Sequence, residues 1–190
     1  MKGRVTKVLA GTLALAAWGS AVLPANAADD AVEKVKEIMA VTLHNSMIKP
    51  GDKPPAADYW DPATLMVSYS RGFTHDLTAA LLHMKDAGEQ MFLDYEPVLG
   101  AQDGCPLRKV QYKAAPEDKG VTRVTVTFEA FYCLGDSPDL RKPTVVWFDL
   151  VREGWDNENR WFVVDDIRHP AQRGEAAVSL RENFRQLASH

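Results

Sequence analysis

The chain has 190 residues, 46% of them hydrophobic and 25% charged, with a net charge of −4 and two cysteines. That length suits one domain with a single core. The acidic balance excludes a surface built to hold phosphate backbones or anionic lipids, because such affinity comes from clustered Lys and Arg.

The opening stretch, MKGRVTKVLAGTLALAAWGSAVLPANAADD, sets Lys2, Arg4 and Lys7 before an apolar run from Val8 to about Leu23 and the small residues Ala25, Asn26 and Ala27. This is the pattern of a secretory signal peptide, with cleavage expected after Ala27. The apolar run is broken by Gly11, Gly19 and Ser20 and falls short of the ~20 residues a spanning helix needs. No cysteine near the cut offers a lipid anchor, and no later segment could cross a bilayer. The expected product is soluble, in the periplasm or secreted, with residues 28–190 as one domain. Three of the 22 basic residues and none of the 26 acids precede the cut, leaving 19 against 26 and a net charge of −7. An oxidising compartment and an even count predict that Cys105 and Cys133 form a disulfide.

Asp30 followed by Glu33 resembles a capping box, and Val32, Val35, Ile38, Met39 and Leu43 recur at helical spacing, which predicts a first helix from about 31 to 47. Lys49 to Asp61 (KPGDKPPAADYWD) is a loop rich in proline, with Tyr59 and Trp60 folding back onto the core. Pro62 suits a first helical position. Met66, Tyr69, Phe73, Leu77, Ala80, Leu81 and Met84 then follow the 3.6 period, with a break expected at Ser70 to Gly72 and an end at Gly88.

Residues 94–106 (DYEPVLGAQDGCP) are too irregular for a helix or strand and read as a turn-rich passage from helices to sheet. After them the period changes to two. Val110 and Tyr112 alternate with polar neighbours, as do Val124, Val126, Phe128 and Ala130, and PEDKG at 116–120 makes the turn of a hairpin. Matching the apolar faces pairs Val110 with Phe128, Lys109 with Glu129 and Cys105 with Cys133. Two further strands, 144–152 and 160–167, follow. Ser179 with Glu182 forms a second capping box before a short helix carrying Leu180, Phe184 and Leu187. This order predicts an α+β fold, with N-terminal helices on one face of a curved antiparallel sheet, a half-cone, and a short C-terminal helix.

The motifs DYEPVLGAQD (94–103), RWFVVDDI (160–167) and SLREN (179–183) resemble a family of exported bacterial proteins of unknown function. That family is similar to the nuclear-transport-factor-like (cystatin-like, SnoaL-like) superfamily of cone-shaped folds, which includes small isomerases, cyclases and pure binding modules. The similarity runs from about residue 33 to 187. Glu96 stands where the family pattern has a second Asp. The resemblance implies a fold, with a homodimer through the sheet as a common arrangement, and implies no reaction.

Asp165 and Asp166 are consecutive on a strand, so alternation sends them to opposite faces and one points inward. Desolvated, that carboxylate could act as a general acid or base. Bonded to Arg168, Arg160 or a backbone amide, it would only hold the strand end. Asp94, Tyr95, Gln102 and Asp103 could line the mouth of the cone together with Arg168 and orient a polar ligand, or bond the free amides of their own turn. No metal-ligand spacing joins His44, His75, His83 and His169, and Asp156 to Asn159 lacks the glycine of a calcium loop. No G-x-S-x-G or glycine-rich phosphate loop is present, so neither a metal nor a cofactor is expected.

The leading expectation is a binding or interaction module for a small molecule or a periplasmic protein. A cofactor-free acid/base enzyme using Asp165 or Asp166 with Tyr95, Tyr112 or His169 is the second. An immunity or inhibitor protein presenting the 49–60 loop to a secreted toxin is the third. A homodimer would form through Phe131, Val145 and Trp147. An enzyme requires a pocket carboxylate without a cation; an interaction module requires a filled core and an apolar patch outside.

Overall fold

The structure, a computed structural model, describes residues 25–48, 58–88, 93–156, 158–172 and 174–189. The expected signal peptide up to residue 24, and most of the 49–60 loop, lie outside these residues. Helix α1, Ala25–Met47, starts ahead of the expected position, so Asp30 stands inside it rather than at its cap. Of the predicted stripe, Val35, Ile38 and Met39 are buried and Val32 and Leu43 half-buried, and Ala31 joins the buried face. Tyr59 is buried and its hydroxyl donates to Thr42 Oγ1 at 2.8 Å, pinning the returning chain to α1.

The break expected at Ser70 to Gly72 falls one residue earlier, at Tyr69 and Ser70, with Arg71 and Gly72 already helical. Helix α2, Pro62–Ser68, is capped by the Asp61 carboxylate, which accepts from the Ala63 and Thr64 amides. Tyr69 and Ser70 are extended, and the Ser70 amide donates to the Val164 carbonyl at 2.9 Å, lending one bridge to the sheet. The Ser70 hydroxyl then accepts the Phe73 amide and starts α3, Arg71–Ala87, which Gly88 closes at φ 76°.

Five antiparallel strands lie in chain order: β1 Arg108–Ala114, β2 Thr122–Glu129, β3 Thr144–Gly154, β4 Arg160–His169 and β5 Val178–Ser179. The last runs into α4, Leu180–Leu187, whose cap is the predicted Ser179 hydroxyl accepting from the Glu182 amide. Alternate strand residues, among them Val126, Phe128, Val146, Phe148, Val164 and Ile167, join Phe73, Leu77 and Phe184 in one buried cluster. The chain is therefore α+β, with four α-helices and a five-stranded antiparallel sheet among the described residues. None of the described helices is long and apolar enough to cross a membrane.

The hairpin register holds from Gln111 opposite Thr127 to Ala114 opposite Val124 and then slips by one residue. A bulge puts Arg108, not Lys109, opposite Glu129, with Lys109 at φ 55°. Glu129 accepts from both, from Arg108 Nε at 2.6 Å and from Lys109 Nζ at 2.7 Å. The ladder ends there, so the cysteines are not strand partners as the simple register has them. The Cys105 amide donates to the Ala130 carbonyl, and a turn at Phe131–Leu134 swings Cys133 back. The disulfide joins them with Cα atoms 5.9 Å apart. Closing a separation of 28 residues stabilises the fold by roughly 3–4 kcal/mol on the chain-entropy model.

Candidate functional site

A second bulge decides where the paired aspartates go. Asp149 of β3 faces Asp166 and Leu150 faces Val164, which leaves Asp165 as the extra residue. Asp165 accepts from the Ser70 hydroxyl at 2.5 Å and from Arg181 Nη1 at 2.6 Å. Asp166 accepts from the Ser179 hydroxyl at 2.6 Å and the Arg181 amide at 3.0 Å, with Arg168 Nε 3.8 Å away. Burial raises the Asp166 pKa, while those two hydrogen bonds pull it down. Each carboxylate thus starts a helix: Asp165 holds the capping serine of α3, and Asp166 takes a free amide of α4. Arg181 completes the junction by donating from Nε to Asp76 at 2.7 Å. Burial works against Asp76, but the Arg181 and His75 hydrogen bonds outweigh it and hold the carboxyl below the usual range.

In the 94–103 segment, Asp94, Gln102 and Asp103 are exposed, and none of them bonds a turn amide among the described residues. Glu96 performs that task. Its amide donates to the Ala101 carbonyl at 3.0 Å, its carbonyl accepts from the Gly100 amide at 2.8 Å, and its carboxylate accepts from the Leu99 amide. The other carboxylate oxygen, Oε1, is buried without a partner. Burial pushes the Glu96 carboxyl up to about 7, against the bonds from Leu99 and Val98. The organising acid of the turn is therefore Glu96.

This turn forms one wall of a cleft of about 450 Å³, shared with Tyr95, Phe131, His169, Val178 and Asn183. Asn183 Nδ2 donates to the Tyr95 hydroxyl oxygen at 3.3 Å. His169 is buried, and its Nε2 donates to the Pro97 carbonyl at 2.9 Å. Burial pushes the imidazole below its ordinary range, against the Pro97 bond and the nearby Asp166. Gly100, at φ 66°, lies against the ring, where an added Cβ would stand 3.1 Å from Cε1. Of the residues predicted to line a mouth, the structure brings Tyr95 to this cleft; Arg168 instead lies 3.6 Å from Asp149. Tyr112 lies apart from it, beside Lys36 of α1.

A larger groove of about 890 Å³ runs between α2, α3 and the β3–β4 hairpin. Met66, Val67, Leu82 and Trp155 border it and are 79%, 55%, 57% and 83% exposed. Trp161 and Val163 line it from β4, and Trp155 and Trp161 lie 6.2 Å apart, centre to centre. Met66 is a correction to the predicted apolar stripe. The extended Tyr69 and Ser70 reset the helical phase, so the stripe of α3 does not continue back through α2. Leu82 carries the readable signal: it stands off the Phe73–Leu77–Met84 stripe, on the face of His75 and Thr78.

No cluster of metal-ligating side chains occurs among the described residues. Comparison with protein-family models, curated proteins and solved structures finds no match for this chain.

Proposed function

We propose that the protein is an exported binding module, a cone-like α+β domain that receives an apolar segment of a partner in the groove between α2, α3 and the β3–β4 hairpin. One observation carries this reading. Large apolar side chains stand more than half exposed around a single groove, while the core beneath is filled by Phe73, Phe128, Phe148 and Phe184. Exposed apolar surface gathered in one place marks a contact surface, whereas scattered single residues need no explanation. The catalytic reading has less support, because Asp165 and Asp166 both receive hydrogen bonds and Asp165 is paired with Arg181.

The test is a photo-reactive phenylalanine analogue placed at position 82 or 155 in the exporting cell, with Lys113 on the far strand β1 as the control position. A discrete covalent adduct from 82 and 155 but not from 113, lost when Met66→Glu is added, is the expected result. Equal labelling at all three positions, or none at 82 and 155, removes the proposal. Export is checked by the mass of the mature chain, with cleavage expected after Ala27.

A further inference from the structure

The smaller cleft holds chemistry that the groove does not use. Leu99, Ala101, Phe131 and Val178 give it apolar walls, and its volume of about 450 Å³ lies in the range of small-molecule sites. Three polar side chains on those walls keep unspent hydrogen-bonding capacity. His169 donates its Nε2 proton to the Pro97 carbonyl, which fixes the neutral tautomer with a lone pair on Nδ1. No described residue donates to that nitrogen. Tyr95 accepts from Asn183, so its own hydroxyl hydrogen is free to donate, and Asn183 Oδ1 remains an acceptor. Gln172, by contrast, spends both ends of its amide on the Val145 backbone, at 3.1 and 3.0 Å, and serves only as wall.

The balance of these groups selects a ligand. Lys and Arg are absent from the described residues lining the cleft, and the charged residue there is Glu175. An anion finds no counter-charge, and acceptors outnumber donors. We propose that this cleft is a second binding site, separate from the groove, for a small uncharged ring compound that carries an N–H or O–H donor. The donor bonds His169 Nδ1, and the ring lies against Leu99 and Phe131. If His169 served only to hold the Pro97 carbonyl, its second nitrogen would have no bearing on any ligand. A site built around an acceptor rejects the analogue that lacks the donor, because the acceptor is then desolvated without a partner.

The probe is 5-fluoroindole, followed by fluorine NMR on the intact protein, with 5-fluoro-1-methylindole and 4-fluorobenzoate beside it. Saturable broadening by 5-fluoroindole is expected, with methylation weakening binding about tenfold, the worth of one good hydrogen bond, and benzoate binding more weakly still. His169→Phe removes the preference for the N–H compound. Asn183→Leu and Tyr95→Phe, milder changes nearer the surface, should perturb amide shifts around Gly100 and weaken binding even if His169→Phe does not fold. No saturable binding, equal binding of the methylated compound, binding indifferent to all three variants, or shifts confined to Leu82 and Trp155 each overturn the assignment.

Discussion

Arg181 shows how much one side chain can be asked to hold. It sits between Asp76 of α3 and Asp165 of β4, and its guanidinium packs on Gly72, where an added Cβ would stand 2.9 Å from Cζ. A glycine inside a helix ordinarily costs about 1 kcal/mol against alanine. Here the arginine arm is fastened at both ends, so Gly72→Ala should destabilise the protein by about 1 kcal/mol. Arg181→Met leaves the half-buried Asp165 without its cation and Asp76 with Arg185 alone, and should cost about 2–3 kcal/mol. In the Arg181→Met background, Gly72→Ala should change sign and stabilise by up to about 1 kcal/mol. Urea denaturation of the four proteins measures the cycle, and strict additivity would show that the two residues do not interact.

Glu96 argues at the same scale for a dependence on pH. Its carboxyl titrates near 7 in the fold and from the ordinary value of 4.5 when unfolded, so the native state holds its proton more tightly. The stability this provides is full below about pH 4.5 and is lost as pH rises through 7, a change of about 3 kcal/mol. His169 acts in the opposite sense. Its pKa is lowered from 6.5, so its contribution is present above that value and is lost on acidification. Glu96→Gln isolates the first effect: stability equal to wild type near pH 4, and greater by up to about 3 kcal/mol at pH 8. A difference that stays constant from pH 4 to 8 in chemical denaturation would sink the assignment.

At the scale of elements, the bulge in β1 separates what could be read in the sequence from what could not. Alternation of Val124, Val126 and Phe128 fixed the faces, and the hairpin register followed as far as Gln111. The one-residue slip at Lys109 had no signal, since a non-glycine residue at φ 55° leaves no mark in composition. The same limit hid Asp165, because alternation assumes an unbroken ladder. Ser70 was legible as the site of a break and Ser179 as a helix start. Their bonds to Asp165 and Asp166 were not, since those pairings join residues 95 and 13 apart. The Lys109 backbone gives a direct check. Lys109→Gly relieves the Cβ strain of the left-handed conformation but gives up the exposed bond to Glu129, so it should leave stability within about 1 kcal/mol of wild type, whereas Lys109→Val loses the bond and keeps the strain and should lower it by more. Thermal melts that rank valine above glycine would mean the bulge is absent in solution.

For the whole molecule, the sheet surface opposite the core decides whether the chain pairs with itself. A dimer through Phe131, Val145 and Trp147 requires all three on that surface, but Phe131 is 7% exposed and belongs to the core cluster. Trp147 is half-buried beneath Arg123, whose guanidinium lies 4.5 Å from the ring centre and grips Asp149 at 2.6 and 2.8 Å. Arg168 adds a second cation 3.6 Å from Asp149. Stable interfaces of about 1,200 Å² or more keep charges out of their centre, and this surface has its charges there. The open edge of β1 is guarded as well, by the bulge and by Arg108, Lys109 and Lys113. Sedimentation should therefore find no dimer held through the sheet in the protein at micromolar concentration. Trp147→Glu should leave its mass unchanged while costing about 1–2 kcal/mol, from the lost stacking on Arg123 and a carboxylate brought near Asp149. A wild-type dimer that Trp147→Glu splits would place the interface on the sheet after all, and would leave the groove of Met66, Leu82 and Trp155 facing outward on each copy.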